Sequence, residues 1–139
     1  MNTDVWIRLT WALVCIGFGL AIYAFSNRFM LARARGKKAT ALLFKSGKPA
    51  LLYFTTPTCA PCKTIQRPAI QSLQERLGDR LQIVEIDASA SPDVADEWGV
   101  LSVPTTFIID AKGQPRHVNQ GVATVEKLWR QIQSLNDGG

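Results

Sequence analysis

Apolar residues follow two regimes along this chain. From Leu9 to Phe25 no charge interrupts them, and from Val5 to Phe25 only Arg8 is charged; beyond residue 45 they fall into short, periodic clusters. As a helix rising about 1.5 Å per residue, the first stretch would span roughly 30 Å, the thickness of a bilayer's hydrocarbon core. The pattern therefore predicts one membrane-spanning helix over residues 1–25. Trp6 and Trp11 toward one end, and Tyr23 and Phe25 toward the other, suit interfacial anchoring. A cleavable signal peptide would carry a basic leader, a shorter apolar core and a small-x-small cleavage site. Asp4 beside Arg8, and Ile22-Tyr23-Ala24, fit that poorly, so a retained helix is preferred.

The helix formers from Asn27 to Arg35 prolong this helix toward Gly36. Ala39 to Lys45 is ambiguous between a short strand and a helical turn, and Ser46-Gly47-Lys48-Pro49 reads as a turn. Leu51–Thr55 has the continuous apolar character of a strand covered on both faces. Ile65, Ala69, Ile70, Leu73 and Leu77 recur at helical spacing up to a stop at Gly78, with a kink expected at Pro68. Leu81–Ile86 is a strand, and strand, helix and strand make a right-handed parallel crossover. A short helix over Asp93–Trp98 precedes a strand over Thr105–Asp110. The turn Ala111-Lys112-Gly113-Gln114 leads to an edge strand, Pro115–Asn119, whose leading proline an edge tolerates. Val122, Val125, Leu128, Trp129, Ile132 and Leu135 form the apolar stripe of a terminal helix.

Charge sharpens the division into an anchor (1–25), a basic linker (26–45) and a domain (46–139). The formal net charge is +5, and it has an address: Arg28, Arg33, Arg35, Lys37, Lys38 and Lys45 all lie in the linker. The domain holds nine basic and ten acidic side chains, which excludes an extended basic surface for nucleic acid. A basic collar beside a membrane helix is drawn to anionic headgroups and held on the cytoplasmic side. That orients the domain toward the cytoplasm.

The chemistry sits in Thr58-Cys59-Ala60-Pro61-Cys62-Lys63, where a strand gives way to a helix. Unpaired N–H groups and positive dipole density at a helix N-terminus stabilise a thiolate at Cys59, leaving Cys62, one turn on, as the resolving thiol. Pro61 near the first turn fixes φ without removing a needed donor. A Cys-x-x-Cys pair can also be half of a zinc site, but zinc usually takes four ligands. The third cysteine, Cys15, lies in the apolar run and the one histidine is His117, so a closed site within one chain is poorly supplied, although a site bridging subunits stays open. Redox chemistry is the preferred reading.

These residues resemble the thioredoxin family. The resemblance covers about Ser46 to Leu135 and rests on Phe54 followed by Cys59-Ala60-Pro61-Cys62-Lys63, on Val84-Glu85-Ile86-Asp87, on Trp98-Gly99-Val100 leading to Val103-Pro104-Thr105, and on Gly121. It implies an α/β, thioredoxin-like fold, a central mixed sheet flanked by helices, here preceded by one transmembrane helix. It further implies a cis bond before Pro104, with Val103 presenting backbone groups to an extended substrate. Thr58 stands where the family commonly has tryptophan. Tyr53 stands where it commonly has a buried aspartate, and Ile83 near that acid's lysine partner. A tyrosine cannot serve as a carboxylate base at neutral pH.

The sequence thus points to a membrane-anchored protein-disulfide reductase with catalytic Cys59 and Cys62. Substrate contacts are expected at Thr58, Val103 and Pro104, with Ala60 and Pro61 supporting the motif. No dissociable cofactor or metal is implied. Its partners would be protein disulfides or dithiols, a separate thiol-recycling system and the membrane. Two rivals remain: a redox-sensing binding module of the same fold, and an extracytoplasmic isomerase or cytochrome-maturation reductase.

Overall fold

The computed structural model describes residues 3–35, 44 and 47–137. Helix α1 runs unbroken over Thr3–Arg35, so the extension past Phe25 is helical. Its segment Thr3–Ala32 is long and apolar enough to cross a membrane, and its large side chains from Val5 to Phe25 are exposed. The ambiguous stretch Ala39–Lys45 lies outside the described residues apart from Phe44, whose ring meets Trp98 edge-on at 6.5 Å.

Four strands follow: β1 (Ala50–Thr55), β2 (Gln82–Asp87), β3 (Thr105–Ile109) and β4 (Pro115–Gln120), with helices α2 (Arg67–Leu77), α3 (Pro92–Glu97) and α4 (Val125–Asp137). The sheet order is β2-β1-β3-β4. β1 pairs parallel with β2 and antiparallel with β3, and β3 pairs antiparallel with β4. Central β1 and β3 are buried along their whole length, which is why they read as continuous apolar runs, and β4, beginning at Pro115, is an edge.

Strand alternation sends side chains to two cores. On one face Leu51, Tyr53 and Ile108 pack with Ile70 and Leu73 of α2 and with Leu128 and Ile132 of α4. On the other, Leu52, Phe54 and Phe107 pack with Ala95, Trp98, Val118 and Met30. Trp98 lies 4.9 Å, centroid to centroid, from Phe107 and 6.4 Å from Phe54, within the range of favourable ring contacts. Met30 belongs to the segment that its charges marked as a linker. That segment packs on β4, a contact no charge pattern could reveal.

Two details of the helices differ from the periodicity. In place of a simple kink at Pro68, residues Cys62–Gln66 form a π-helical turn, closed by the Arg67 N–H donating to the Cys62 carbonyl, and Pro68 sits in the first turn of α2. Proline has no N–H to give the Thr64 carbonyl, so the wider register takes over there. The added residue shifts the phase of the helix, exposing Ile65 and burying Gln66 completely. At the other end α4 begins at Val125, so Val122 precedes it and lies exposed, outside the stripe expected for it.

Candidate active site

β1 ends at Thr55, and the turn Thr56–Thr58 delivers Cys59 to the head of the helical segment. Cys59 and Cys62 are joined as a disulfide, Cα atoms 5.3 Å apart. The backbone N–H of Cys62 donates to Cys59 Sγ at 3.2 Å, the interaction a helix N-terminus offers a thiolate. Burial is unequal: Cys59 retains 9% of its surface, whereas Cys62 has none. Thr58, Ala60 and Pro61 surround the bond at the exposed surface.

Beneath the dithiol lies Tyr53, 1% exposed, its hydroxyl donating to the Cys62 carbonyl at 3.2 Å. Burial raises this phenol above its ordinary pKa, outweighing a hydrogen bond with Thr55 that lowers it. The ring is thus a neutral support for the turn. Opposite Tyr53 in the β1–β2 register is Glu85, an exposed acid paired with Arg67 at 2.7 Å. Ile83 packs on the core that holds Tyr53.

The bond between Val103 and Pro104 is cis. Pro104 is buried, and its carbonyl accepts from Gly121 N–H at 2.8 Å. Val103 packs against both cores, including the one that contains the cysteines. Gly121 has φ of 88°, a left-handed conformation that glycine enters without steric penalty.

Sequence reasoning missed Gln66. Its side-chain amide donates to the Ala123 carbonyl at 3.2 Å and accepts from the Ala123 N–H at 2.8 Å, pairing as one peptide unit would with another. The helix bearing Cys62 is thereby fixed to the loop after β4, and that loop is fixed to Pro104 through Gly121. A glutamine one turn past a dithiol, on the face left by a π turn, is the only trace the sequence carries of it.

A disulfide at the head of a helix, at the end of a central strand in a mixed sheet, with a cis-proline loop tied to it, defines a dithiol–disulfide exchange domain. The sequence model of the Thioredoxin family matches residues 34–134. Among curated relatives, Thioredoxin Y, chloroplastic, from Oryza sativa subsp. japonica is 36% identical over 78% of this chain and 67% of its own. Thioredoxin X, chloroplastic, from Arabidopsis thaliana is 34% identical over 69% of this chain and 53% of its own. The chain thus spans between half and two-thirds of the length of these relatives. The solved structure of mitochondrial thioredoxin 3 from Saccharomyces cerevisiae in its oxidized form is 26% identical, covers 68% of this chain and 84% of its own, and superposes with a TM-score of 0.57. The chain belongs to the thioredoxin family, a family of thiol–disulfide oxidoreductases.

Proposed function

We propose that this chain is a membrane-anchored thiol–disulfide oxidoreductase that reduces protein disulfides. The observation that carries the reading is the asymmetry of the two sulfurs. Cys59 keeps a small exposed surface and its sulfur accepts the Cys62 N–H, whereas Cys62 is fully buried. In the dithiol form the Cys59 thiolate attacks one sulfur of the substrate disulfide, and the departing substrate sulfur takes a proton from water. Cys62, deprotonated, then attacks Cys59 Sγ of the mixed disulfide. The substrate leaves as a dithiol carrying two electrons, and the Cys59–Cys62 bond remains. A separate dithiol donor must return two electrons for the next cycle. Thr58, Val103 and Pro104 would meet the substrate segment around Cys59, with Ala60 and Pro61 setting the turn between the thiols.

The apolar length of α1 supports a single-pass anchor, and the basic residues after it support a cytoplasmic domain. Tyr53 in place of a buried acid supports a second reading, a redox-sensing binding module whose dithiol turns over slowly. Insulin reduction with dithiothreitol separates the two. The enzyme should be abolished by Cys59→Ser, while Cys62→Ser should accumulate mixed disulfides. Equal alkylation rates of the two thiols across pH would remove the assignment of roles. For the anchor, an alkaline phosphatase fused after Gly139 should be inactive; a strongly active fusion would place the domain outside the cytoplasm.

A further inference from the structure

The direction of α1 relative to the sheet decides which end of the domain meets the lipid. Gln120, the last residue of β4, donates through Nε2 to Asn27 Oδ1 at 2.8 Å and to Ser26 Oγ at 3.3 Å. Met30, about one turn further along α1, is 3% exposed in the core on one face of the sheet, which extends from Phe54 at the disulfide end through Val118 to Ala50 and Ile109 at the other. Gln120 pairs with Thr105, the residue after Pro104, at the end of the sheet where Phe54 leads to the cysteines. Ala50 and Ile109 pair at the opposite end. Helix α1 therefore meets the domain first at its disulfide end, through Ser26 and Asn27, and continues over that face of the sheet with Met30. Followed backward from Asn27, it leaves past the disulfide end. Phe25, where the uncharged run stops, is only two residues, about 3 Å of helix, before Asn27.

A second observation concerns the surface of that end. Outside α1, the large apolar side chains exposed among the described residues are Ile65 (53%), Leu101 (85%) and Val122 (40%). Leu101 precedes Pro104 by three residues, Val122 adjoins the Gly121 N–H that bonds the Pro104 carbonyl, and Ile65 follows Cys62 by three residues. The opposite end presents Lys112 in the turn between β3 and β4, and Lys112 is exposed. Strands of five to six residues, at about 3.3 Å per residue, put the two ends roughly 20 Å apart.

We propose that the docking of α1 along β4 turns the disulfide end of the domain toward the bilayer, so that its substrates are disulfides of integral membrane proteins held at headgroup depth. This rests on the membrane-anchored exchange reading above and adds the substrate class to it. Soluble disulfides would have to enter between the domain and the lipid. A juxtamembrane disulfide is already at the height of Cys59, and Ile65, Leu101 and Val122 suit the apolar flank of such a segment. The exchange step is unchanged: the partner's sulfur–sulfur bond breaks, Cys59 is joined transiently to one partner sulfur, and the other leaves as a thiol.

The test uses the full chain in phosphatidylcholine vesicles, with Cys15→Ala throughout. One protein also carries Cys62→Ser, leaving Cys59 as the single thiol; the other carries Cys59→Ser, Cys62→Ser and Lys112→Cys. Each meets two probes: a transmembrane Leu-Ala peptide with one cysteine just outside its apolar stretch, blocked as the 2-pyridyl disulfide, and the same blocked cysteine on a soluble peptide. Attack releases 2-thiopyridone and leaves a mixed disulfide. The ratio of membrane to soluble rate should be about tenfold or more higher for Cys59 than for Lys112→Cys, because only the former shares the probe's depth. Equal ratios, a higher ratio for Lys112→Cys, or failure of the protein to float with the vesicles would overturn the proposal. In detergent, where no bilayer shields either thiol, a Cys59 thiol no faster than Lys112→Cys toward the soluble peptide would instead overturn the exchange role, while the ratio on vesicles still decides the orientation.

Discussion

Removing the Gln66 amide is the most demanding trial of how this site is held together. Gln66 and Ala123 are 0% and 1% exposed, so Gln66→Ala leaves the Ala123 N–H and carbonyl buried without their partners. Each abandoned group costs about 1–3 kcal/mol. Because values above about 4–5 kcal/mol are exceptional for one substitution, about 2–5 kcal/mol in total is expected. For a domain of this size that is a fall of about 10 °C or more in Tm. Gln66→Met separates hydrogen bonding from packing. Methionine restores most of the volume but keeps water out, whereas the space left by alanine can admit a water to bond Ala123. The methionine variant should therefore be no more stable than the alanine variant. If packing were what Gln66 supplied, methionine would recover most of the loss. Urea unfolding of the full chain in detergent reads the stability, and the rate of insulin reduction reads the site. That rate should fall several-fold in both variants, since the loop from Gly121 to Ala123 no longer holds Pro104 against a fixed helix. An alanine variant within about 0.5 kcal/mol of the parent, at full activity, would refute the reasoning.

Three further outcomes follow from particular groups. Tyr53→Asp should lower stability, since a carboxylate enters a buried position in a core against which Ile83 packs, with no lysine partner beside it among the described residues. If lack of an acid limits attack by Cys62, the same variant should raise the resolving rate near neutral pH in stopped-flow exchange; a folded variant without that gain would mean Cys62 is deprotonated by another route. Asp110 accepts from the N–H groups of Lys112 and Gln114 and from Arg116 Nε at 2.6 Å, and although burial, the largest single influence, raises its pKa, these bonds together hold it below the usual carboxylate range. Its charge therefore contributes stability above about pH 4 that is lost as pH falls through the lowered folded value. Asp110→Asn should accordingly cost about 1 kcal/mol at pH 7, with a deficit that shrinks in acid melts. His117, held below its ordinary pKa first by burial and then by the neighbouring Arg116, binds a proton more readily when the chain is unfolded. Its contribution should decline as pH drops through about 6.5, so His117→Gln should flatten the pH dependence of Tm between pH 7 and 5; an unchanged slope would assign that dependence elsewhere.

The sequence alone determined the dithiol, the apolar helix and the order of strands and helices. Each is written in a local signal: two cysteines at a helix head, a charge-free run of bilayer length, apolar spacing of period two or near four. The loop before Pro104 was legible as well, because proline and its neighbours form a motif of their own. Local signals also set the limits. Two helical stripes, one that begins at Ile65 and one that begins at Val122, imply core packing, yet a π turn and a later helix start place both residues at the surface. Whether a turn takes five or four residues depends on how Pro68 and Gln66 are accommodated in the folded chain, not on periodicity.

Only the tertiary structure decided which polar residues would be buried and with what. Gln66 finds Ala123 57 residues away, and Gln120 finds Asn27 93 residues away; a glutamine that is solvated and one that fixes two segments look the same in sequence, because the difference lies in the partner. The charge pattern drew a boundary after Phe25, where the uncharged run stops. It carried no information on how the emerging helix would lie on the sheet. That was settled by the apolar face of the sheet at Val118, on which Met30 packs, and by the amide of Gln120, which holds Asn27 at the disulfide end of β4.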